Sequence, residues 1–257
     1  MAREFDGTNQ YLRQTSGSPW DGNFPVSVSL WFQDDQNTGG SSRWVFSFGD
    51  QSSSSNYFGL ATIVSASKRV LRGQCGSGIT AFTTGTVDVQ GGAWHHACIV
   101  QAAVNDMKVW LDGADLQTDT DTLTDGLAVD QVAIGVLARS SLAAYWDGAA
   151  EHVAAWNTAL ATDNVYALAS GASPLFVQPS SLLMYNDEID NDADRFGAVS
   201  FTAVNTPTWR DARAPVIMPR KKRIVSPSPQ VSYAPRTQAV HWTGEFIQPG
   251  ADGLAYV

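Results

Sequence analysis

The sequence predicts an all-β protein: a two-sheet antiparallel sandwich of the jelly-roll type, with one short helix and an extended C-terminal arm. Three observations predict this fold. Apolar and polar residues alternate along many short segments, turn-forming clusters of Gly, Asn, Asp and Ser separate these segments, and aspartate outnumbers glutamate 21 to 4. Because aspartate favours turns and caps over helix interiors, the last bias fits a chain of strands and loops.

Alternation of apolar and polar residues dominates the first 157 residues, and this pattern predicts strands. Val26, Val28 and Leu30 would lie on one face of a strand, with two serines on the opposite face. Three further segments alternate in the same way, at 44–48, 57–62 and 107–111. The helical period of about 3.6 residues is nearly absent here, so we expect strands throughout this part.

One helix is predicted after these strands. Thr162 can cap its first turn, Val165 and Leu168 share one face, and Gly171 can supply the left-handed stop. An apolar strand follows at 181–185. The sequence then predicts an acidic loop at 186–194 and a strand pair at 199–209.

A change of composition divides the chain into a domain at 1–218 and an arm at 219–257. Five of the 11 prolines lie in the arm. Residues 1–218 hold 11 Lys and Arg against 23 Asp and Glu, whereas residues 219–257 hold 5 against 2. The acidic domain repels phosphate, which argues against a nucleic-acid partner. No apolar run is long enough for a membrane helix, and residues 1–20 lack the pattern of a signal peptide.

Six segments, in this order, resemble laminin-G-like domains of the concanavalin-A-like lectin/glucanase superfamily. They are residues 5–12, 26–32, 94–100, 109–113, 134–135 and 146–157. The resemblance implies a concanavalin-A-like jelly roll. Residues 171–176, 182–185 and 207–209, followed by a tail rich in Pro and Arg, are similar to the extension of bacteriophage-encoded relatives.

The similarity to bacteriophage relatives implies a non-enzymatic structural protein of the virion, made in the host cytoplasm. Its location on capsid or tail stays open. The arm would bind other virion proteins or copies of the same chain. The residues expected to make these assembly contacts are Arg220, Lys221, Lys222, Arg223, Tyr233, Trp242 and Phe246.

The alternative is a lectin-like module that binds glycans of a host or of the environment. Lectin sites stack sugars on exposed aromatic rings beside Asn and Asp side chains. Trp20 and Asn23 form one candidate pair, and Asn56 and Tyr57 form another.

Catalytic and metal-binding patterns are incomplete in this sequence. Residues 188–192 carry carboxylates like those of retaining glucanases but lack the second glutamate. Asp190, Asp192 and Asp194 alternate as in a calcium loop, yet Arg195 stands where that loop needs glycine. A solvated acidic turn is the simpler interpretation, so we predict neither an enzyme nor a cofactor, with calcium as the one ion considered.

The histidines and cysteines carry no metal-binding pattern. His95 and His96 are adjacent and would point to opposite faces of a strand. Cys75 and Cys98 are interpreted as small buried residues, and a disulfide between them is left open.

Overall fold

The computed structural model describes residues 2–35, 42–77, 80–187, 195, 199–211 and 213–216. The described residues form fifteen strands and one α-helix, together with 3₁₀ turns at Pro174–Phe176 and Pro179–Ser181. The first seven strands, β1 to β7, are Ala2–Asp6, Tyr11–Gln14, Val26–Asp34, Arg43–Gly49, Asn56–Ser65, Lys68–Ser77 and Thr80–Thr84. Strands β8 to β12 are His95–Ala103, Asp106–Leu111, Asp115–Asp119, Gln131–Ile134 and Asp147–Trp156. Helix α1 is Thr162–Ala169, and strands β13 to β15 are Leu182–Asn186, Thr202–Val204 and Thr208–Arg210.

The strands form two antiparallel sheets, which confirms the predicted sandwich. Sheet A has eight strands in the order β10-β9-β8-β3-β12-β1-β15, with β13 pairing to β12. Sheet B has seven strands in the order β14-β2-β11-β4-β5-β6-β7. Strands β14 and β15 belong to different sheets, so the prediction that 199–209 forms a strand pair is wrong. Each of these strands extends the sheet edge nearest to it, β14 on β2 and β15 on β1.

The main hydrophobic core lies between the two sheets. Phe46 and Phe58 of sheet B meet Leu30 and Phe32 of sheet A there, and Trp146 joins them, all fully buried. Each such side chain stabilises the fold by about 1.5–3 kcal/mol through the apolar area that it removes from water. Alternation along the strands sends every second residue into this core.

One ion pair crosses from sheet to sheet inside the core. Arg69 Nε lies 3.4 Å from Asp34 Oδ2, and both side chains are fully buried. Arg69 Nε–H also donates to Thr62 Oγ1 at 3.1 Å, and the Trp146 indole N–H donates to Asp34 at 3.3 Å. These partners offset part of the cost of holding two charges away from water, whereas Nη1 and Nη2 of Arg69 are buried without a hydrogen bond among the described residues.

Helix α1 covers the outer face of sheet A. Val165 and Leu168 of the helix pack with Trp110 and Trp156 of the sheet in a second apolar cluster. The helix begins at Thr162, but its N-cap residue is Ala161, which has no capping side chain, so the prediction that Thr162 caps the helix is wrong.

A glycine ends the helical region as predicted, because Gly171 has a φ of +91°. A Cβ atom added there would lie 2.2 Å from the carbonyl oxygen of Pro215. Glycine is therefore required at position 171 for two reasons, its positive φ and the close approach of the 213–216 segment.

The segment 136–145 covers part of the outer face of sheet B. Ser47 Oγ–H donates to the carbonyl oxygen of Val136, and the N–H of Ala138 donates to Ser47 Oγ, both at 2.8 Å. A Cβ atom on Gly49 would lie 1.7 Å from the carbonyl oxygen of Ala138. Small residues on the sheet thus allow this segment to pack directly on the backbone.

The described residues lie within one compact unit, Met1–Pro219, and the predicted arm lies outside the described residues. Within the described part of the chain, no helix has the length and the apolar character that a membrane span requires.

Candidate functional site

The two sheets differ in charge. Among the strands that the structure describes, those of sheet B contain no Asp or Glu. Their basic residues are Arg13, Arg43, Lys68, Arg69 and Arg72. The strands of sheet A carry three basic residues, Arg3, Lys108 and Arg210, and eight acidic ones, Glu4, Asp6, Asp34, Asp106, Asp115, Asp119, Asp147 and Glu151. Sheet B is therefore a basic layer in a chain whose net charge is −9.

Strand β2 presents two candidate site residues, Tyr11 and Arg13, on the outer face of sheet B. Leu12 lies in the core between the sheets, whereas Tyr11 packs with Ala133 in an outer cluster. Because side chains alternate along a strand, Arg13 shares the outer face with Tyr11. The register places Arg13 opposite Thr202 on β14 and opposite Ala133 on β11.

These outward residues line a cleft at the β2–β14 edge of sheet B. The cleft has a volume of about 370 Å³, and its lining in the described part of the chain contains an aromatic ring, a cation and hydroxyl groups but no carboxylate. The lining residues are Tyr11, Arg13, Gln14, Thr15, Ser16, Ser200, Thr202 and Val204.

A neutral amide holds the cation of the cleft. Arg13 Nε–H donates to Gln131 Oε1 at 2.7 Å, and Gln131 is fully buried, so the guanidinium plane has a fixed anchor. Within the described ranges, no Asp or Glu forms an ion pair with Arg13. Its positive charge is therefore not neutralised by the part of the protein that the structure describes.

The aromatic wall of the cleft is Tyr11, whose ring contacts that of a second tyrosine outside the lining. The rings of Tyr11 and Tyr145 lie 5.9 Å apart at an angle of 38°, and both residues are half-buried. A supported tyrosine ring offers an apolar face together with a polar tip.

Trp20, one of the predicted sugar-stacking residues, lies in the core. It is 1% exposed, and its ring packs 5.3 Å from Phe48 and 5.4 Å from Phe58. Its indole N–H donates to the backbone oxygen of Asn23 at 2.7 Å. A ring in this position cannot stack on a sugar, so the expectation for Trp20 is corrected.

The other predicted glycan residues do not join Trp20 in one site. Tyr57 is 9% exposed and lies on the outer face of sheet B, whereas Trp20 packs on the inner side, against the next residue of β5. Asn56 donates to Asp50 at 3.0 Å, and exposed Asn23 donates to Asp21 at 3.0 Å. Both amides are thus held by neighbouring carboxylates.

Several predicted residues lie outside the described ranges. They are the calcium candidates Asp190, Asp192 and Asp194, and the assembly residues Arg220, Lys221, Lys222, Arg223, Tyr233, Trp242 and Phe246. Within the described ranges, no group of three His, Cys, Asp or Glu residues could hold a metal ion. Cys75 and Cys98 are both buried free thiols.

Two of the three histidines on the strands of sheet A are buried, and each is bonded to a hydroxyl group. His96 Nε2 lies 2.8 Å from Ser29 Oγ, and His152 Nδ1 lies 2.7 Å from the Tyr185 hydroxyl. Burial lowers the pKa of His96 to about 4 and that of His152 to about 3, so both rings are neutral at pH 7. These pairs are not open to a substrate in solution.

The chain belongs to the concanavalin A-like lectin/glucanases superfamily, because the family model of that description matches residues 6–166. No curated protein matches the sequence. Among solved structures, the chain is similar to a heptameric SAP-like pentraxin from Limulus polyphemus, with 18% identity, a TM-score of 0.60, and coverage of 80% of this chain and 92% of that one.

Two further solved structures share the fold. The CBM40 of the Ruminococcus gnavus IT-sialidase, bound to α2,3-sialyllactose, has 12% identity and a TM-score of 0.53, over 65% of this chain and 95% of that one. Tailspike protein 2 of bacteriophage CBA120, in its enzymatically active domain, has 15% identity and a TM-score of 0.53, over 70% of this chain and 28% of that one.

Sequence reasoning missed the cleft residues Tyr11 and Arg13. The sequence carries a signal only for the charge of the layer, because residues 51–87 contain no Asp or Glu in an otherwise acidic chain. That stretch supplies β5, β6 and β7, which lie at the opposite end of sheet B from the cleft.

Proposed function

We propose that this domain is a non-enzymatic glycan-binding module and that its binding surface is the β2–β14 cleft. The observation that carries the proposal is the composition of the cleft. Tyr11, Arg13 and the hydroxyls of Thr15, Ser200 and Thr202 line one cavity on the outer face of sheet B. Saccharides offer an apolar ring face and many hydroxyls, and this lining matches both.

The size and the environment of the cleft support this proposal. Ligand pockets in proteins usually measure about 300–1,000 Å³ and combine apolar walls with a few polar groups. The CBM40 of the Ruminococcus gnavus IT-sialidase, which has the same fold and is bound to α2,3-sialyllactose, adds support. In this chain, the residues that line the cleft supply the aromatic and polar groups.

Binding without catalysis is supported by where the titratable groups lie. The close pairs formed by Ser29 with His96 and by His152 with Tyr185 are buried. Among the described residues, the lining of the cleft contains no carboxylate and no histidine. Hydrolysis of a glycosidic bond by the usual mechanism needs two carboxyl groups beside the bond.

A glycan array followed by calorimetry tests the proposal on the full chain. We expect Tyr11→Ala to weaken the best array ligand about tenfold, which corresponds to about 1.4 kcal/mol. Tyr166→Ala is the matched control, because Tyr166 is 48% exposed on the helix that covers sheet A. The proposal fails if no glycan binds, or if both variants weaken binding equally.

A second function, as a structural protein of a bacteriophage virion, is favoured by an acidic edge of sheet A. Strand β10 is the end strand of that sheet, and residues 112–130 contain no Lys or Arg. Their acidic residues are Asp112, Asp115, Asp119, Asp121, Asp125 and Asp130. An end strand offers unpaired backbone groups to an extended segment.

The arm supplies a segment of complementary charge. Residues 220–223 are four consecutive basic residues. We propose that this run docks on the β10 edge of a second copy, so that the arm links subunits in the virion. The bacteriophage tailspike that shares the fold adds support for the viral setting.

Deletion of residues 219–257 tests the structural function. We expect loss of oligomers in light scattering and loss of incorporation into particles, with an unchanged unfolding transition of the domain. Replacing the four basic residues 220–223 by serine is the finer variant, and it should have the same effect. Unchanged assembly after the deletion would contradict this function.

A further inference from the structure

The charge of the β2–β14 cleft indicates the class of its ligand. We propose that the bound glycan carries a carboxylate and that Arg13 binds this carboxylate. The inference rests on the proposed glycan-binding function and adds the chemistry of the sugar. Neutral saccharides would need no cation in the cleft.

Arg13 differs from three described arginines that have carboxylate partners, and it resembles Arg139, which donates to the backbone oxygen of Ser141 but does not line the cleft. Arg69 pairs with Asp34, Arg195 pairs with Asp187, and Arg210 pairs with Glu4. In an acidic domain, carboxylate partners are abundant, and these three arginines have them. Arg13 instead donates to the amide of Gln131, and no carboxylate lines its cleft.

The anchoring of Arg13 suits carboxylate recognition. A guanidinium is planar and presents parallel N–H groups that match the two oxygens of a carboxylate. The bond from Nε to Gln131 Oε1 restricts rotation of this plane, which reduces the entropy lost on binding. Lysine could supply the charge but not the bidentate hydrogen-bond geometry.

The neighbours of Arg13 complete a site for an acidic sugar. Thr202 lies opposite Arg13 in the β2–β14 register, and Thr15, Ser16 and Ser200 continue the lining. Their hydroxyls can bond the hydroxyls of the sugar ring next to the carboxylate. The absence of Asp and Glu from the described strands of sheet B leaves no strand carboxylate to compete for Arg13.

Calorimetry on the full chain with matched acidic and neutral glycans tests the inference. The pairs are α2,3-sialyllactose against lactose, and oligogalacturonate against its methyl ester, so that sialic and uronic acids are distinguished. We expect the acidic member of at least one pair to bind at least tenfold more tightly. Arg13→Gln should abolish this preference, and Arg13→Lys should retain part of it.

The control variant is Lys68→Gln, which removes the same charge from an exposed position on sheet B and should leave the preference intact. Each variant is first checked for an unchanged unfolding transition. If Arg13→Gln fails this check, the preference for acidic glycans is instead compared between Arg13→Lys and the wild type, with the same glycan pairs.

The possible outcomes separate the inference from the function on which it rests. Equal or tighter binding of the neutral members overturns the carboxylate inference but keeps a glycan-binding domain. An acidic preference that survives in Arg13→Gln, or that Lys68→Gln removes equally, overturns the assignment to Arg13. No binding of any array glycan contradicts the proposed function itself.

Discussion

Sheet A and sheet B have the same architecture but opposite chemistry. The strands of sheet A hold eight acidic residues, and helix α1 and the segment 213–216 pack on its outer face. The described strands of sheet B hold five basic and no acidic residues, and the β2–β14 side of its outer face opens as a cleft. Under the proposed function, sheet A is the scaffold and sheet B is the layer that binds the ligand.

Side-chain size explains why the two outer faces are covered differently. On sheet A, Trp110 and Trp156 make an apolar surface that a helix can bury. On sheet B, Ser47 and Gly49 leave room only for the backbone of a passing segment. This segment packs on Ser47 and Gly49 of β4, and Arg13 of β2 lines the cleft.

The largest expected effect is at the contact between the two sheets. Asp34→Ala should lower the free energy of unfolding by about 3–5 kcal/mol, because it leaves Arg69 as a buried charge without its carboxylate partner. Urea denaturation measures this loss. The double variant Asp34→Leu with Arg69→Met should recover most of it, and a double variant as unstable as the single one would contradict the explanation.

The free energy of unfolding should fall at acidic pH because of a buried histidine in sheet A. The pKa of His96 is lowered by burial to about 4, from 6.5 in the unfolded chain, so the unfolded chain binds the proton first. This contribution to stability is complete above pH 6.5 and is lost as the pH falls toward 4, by about 3 kcal/mol.

Urea denaturation at pH 7 and pH 4 of the wild type and of His96→Gln measures this contribution. Glutamine can still bond Ser29 but cannot titrate, so we expect the variant to lose about 3 kcal/mol less than the wild type on acidification. The same loss in both proteins would show that His96 is not the source.

An intermediate effect is expected at the cover of sheet B. Gly49→Ala should cost about 2 kcal/mol, because the added Cβ would lie 1.7 Å from the backbone oxygen of Ala138 and would displace the segment 136–145. Gly17→Ala is a useful comparison, since nothing lies within 4 Å of its Cβ position, although its φ of +128° adds backbone strain. A smaller loss for Gly49→Ala than for Gly17→Ala would argue against tight packing of the segment.

The smallest effect is expected for an exposed ion pair of sheet A. Lys108 Nζ lies 2.7 Å from Asp106 Oδ1, but both side chains are more than one-third exposed. Lys108→Ala should change the free energy of unfolding by about 0.5 kcal/mol, because water and salt screen such pairs. A loss as large as that of Asp34→Ala would remove the distinction between buried and exposed charges.

Alternation predicted the strands well but could not predict what covers them. Val28 and Leu30 lie in the core as expected, and Ser27 and Ser29 lie on the opposite face. Both serines are nevertheless buried, and their hydroxyls are satisfied by Thr158 O and by His96. A period of two residues separates the faces of a strand without saying which face stays open to water.

The candidate site was harder to predict, because it depends on strand order. Arg13 and Thr202 are 189 positions apart in the sequence and meet only because β14 joins the edge of sheet B beside β2. Trp20 is a candidate for sugar stacking because it stands near Asn23 in the sequence, yet its ring fills the core beside Phe58. Local sequence carries no information on either of these long-range contacts.

Hydrogen–deuterium exchange with and without the tightest array glycan tests most directly whether sheet B is the binding layer. We expect slower exchange in Tyr11–Gln14 and Thr202–Val204, which border the cleft, and unchanged exchange in Asp115–Asp119 at the edge of sheet A. Protection confined to the strands of sheet A, with β2 and β14 unchanged, would contradict the division of the molecule into a scaffold layer and a binding layer.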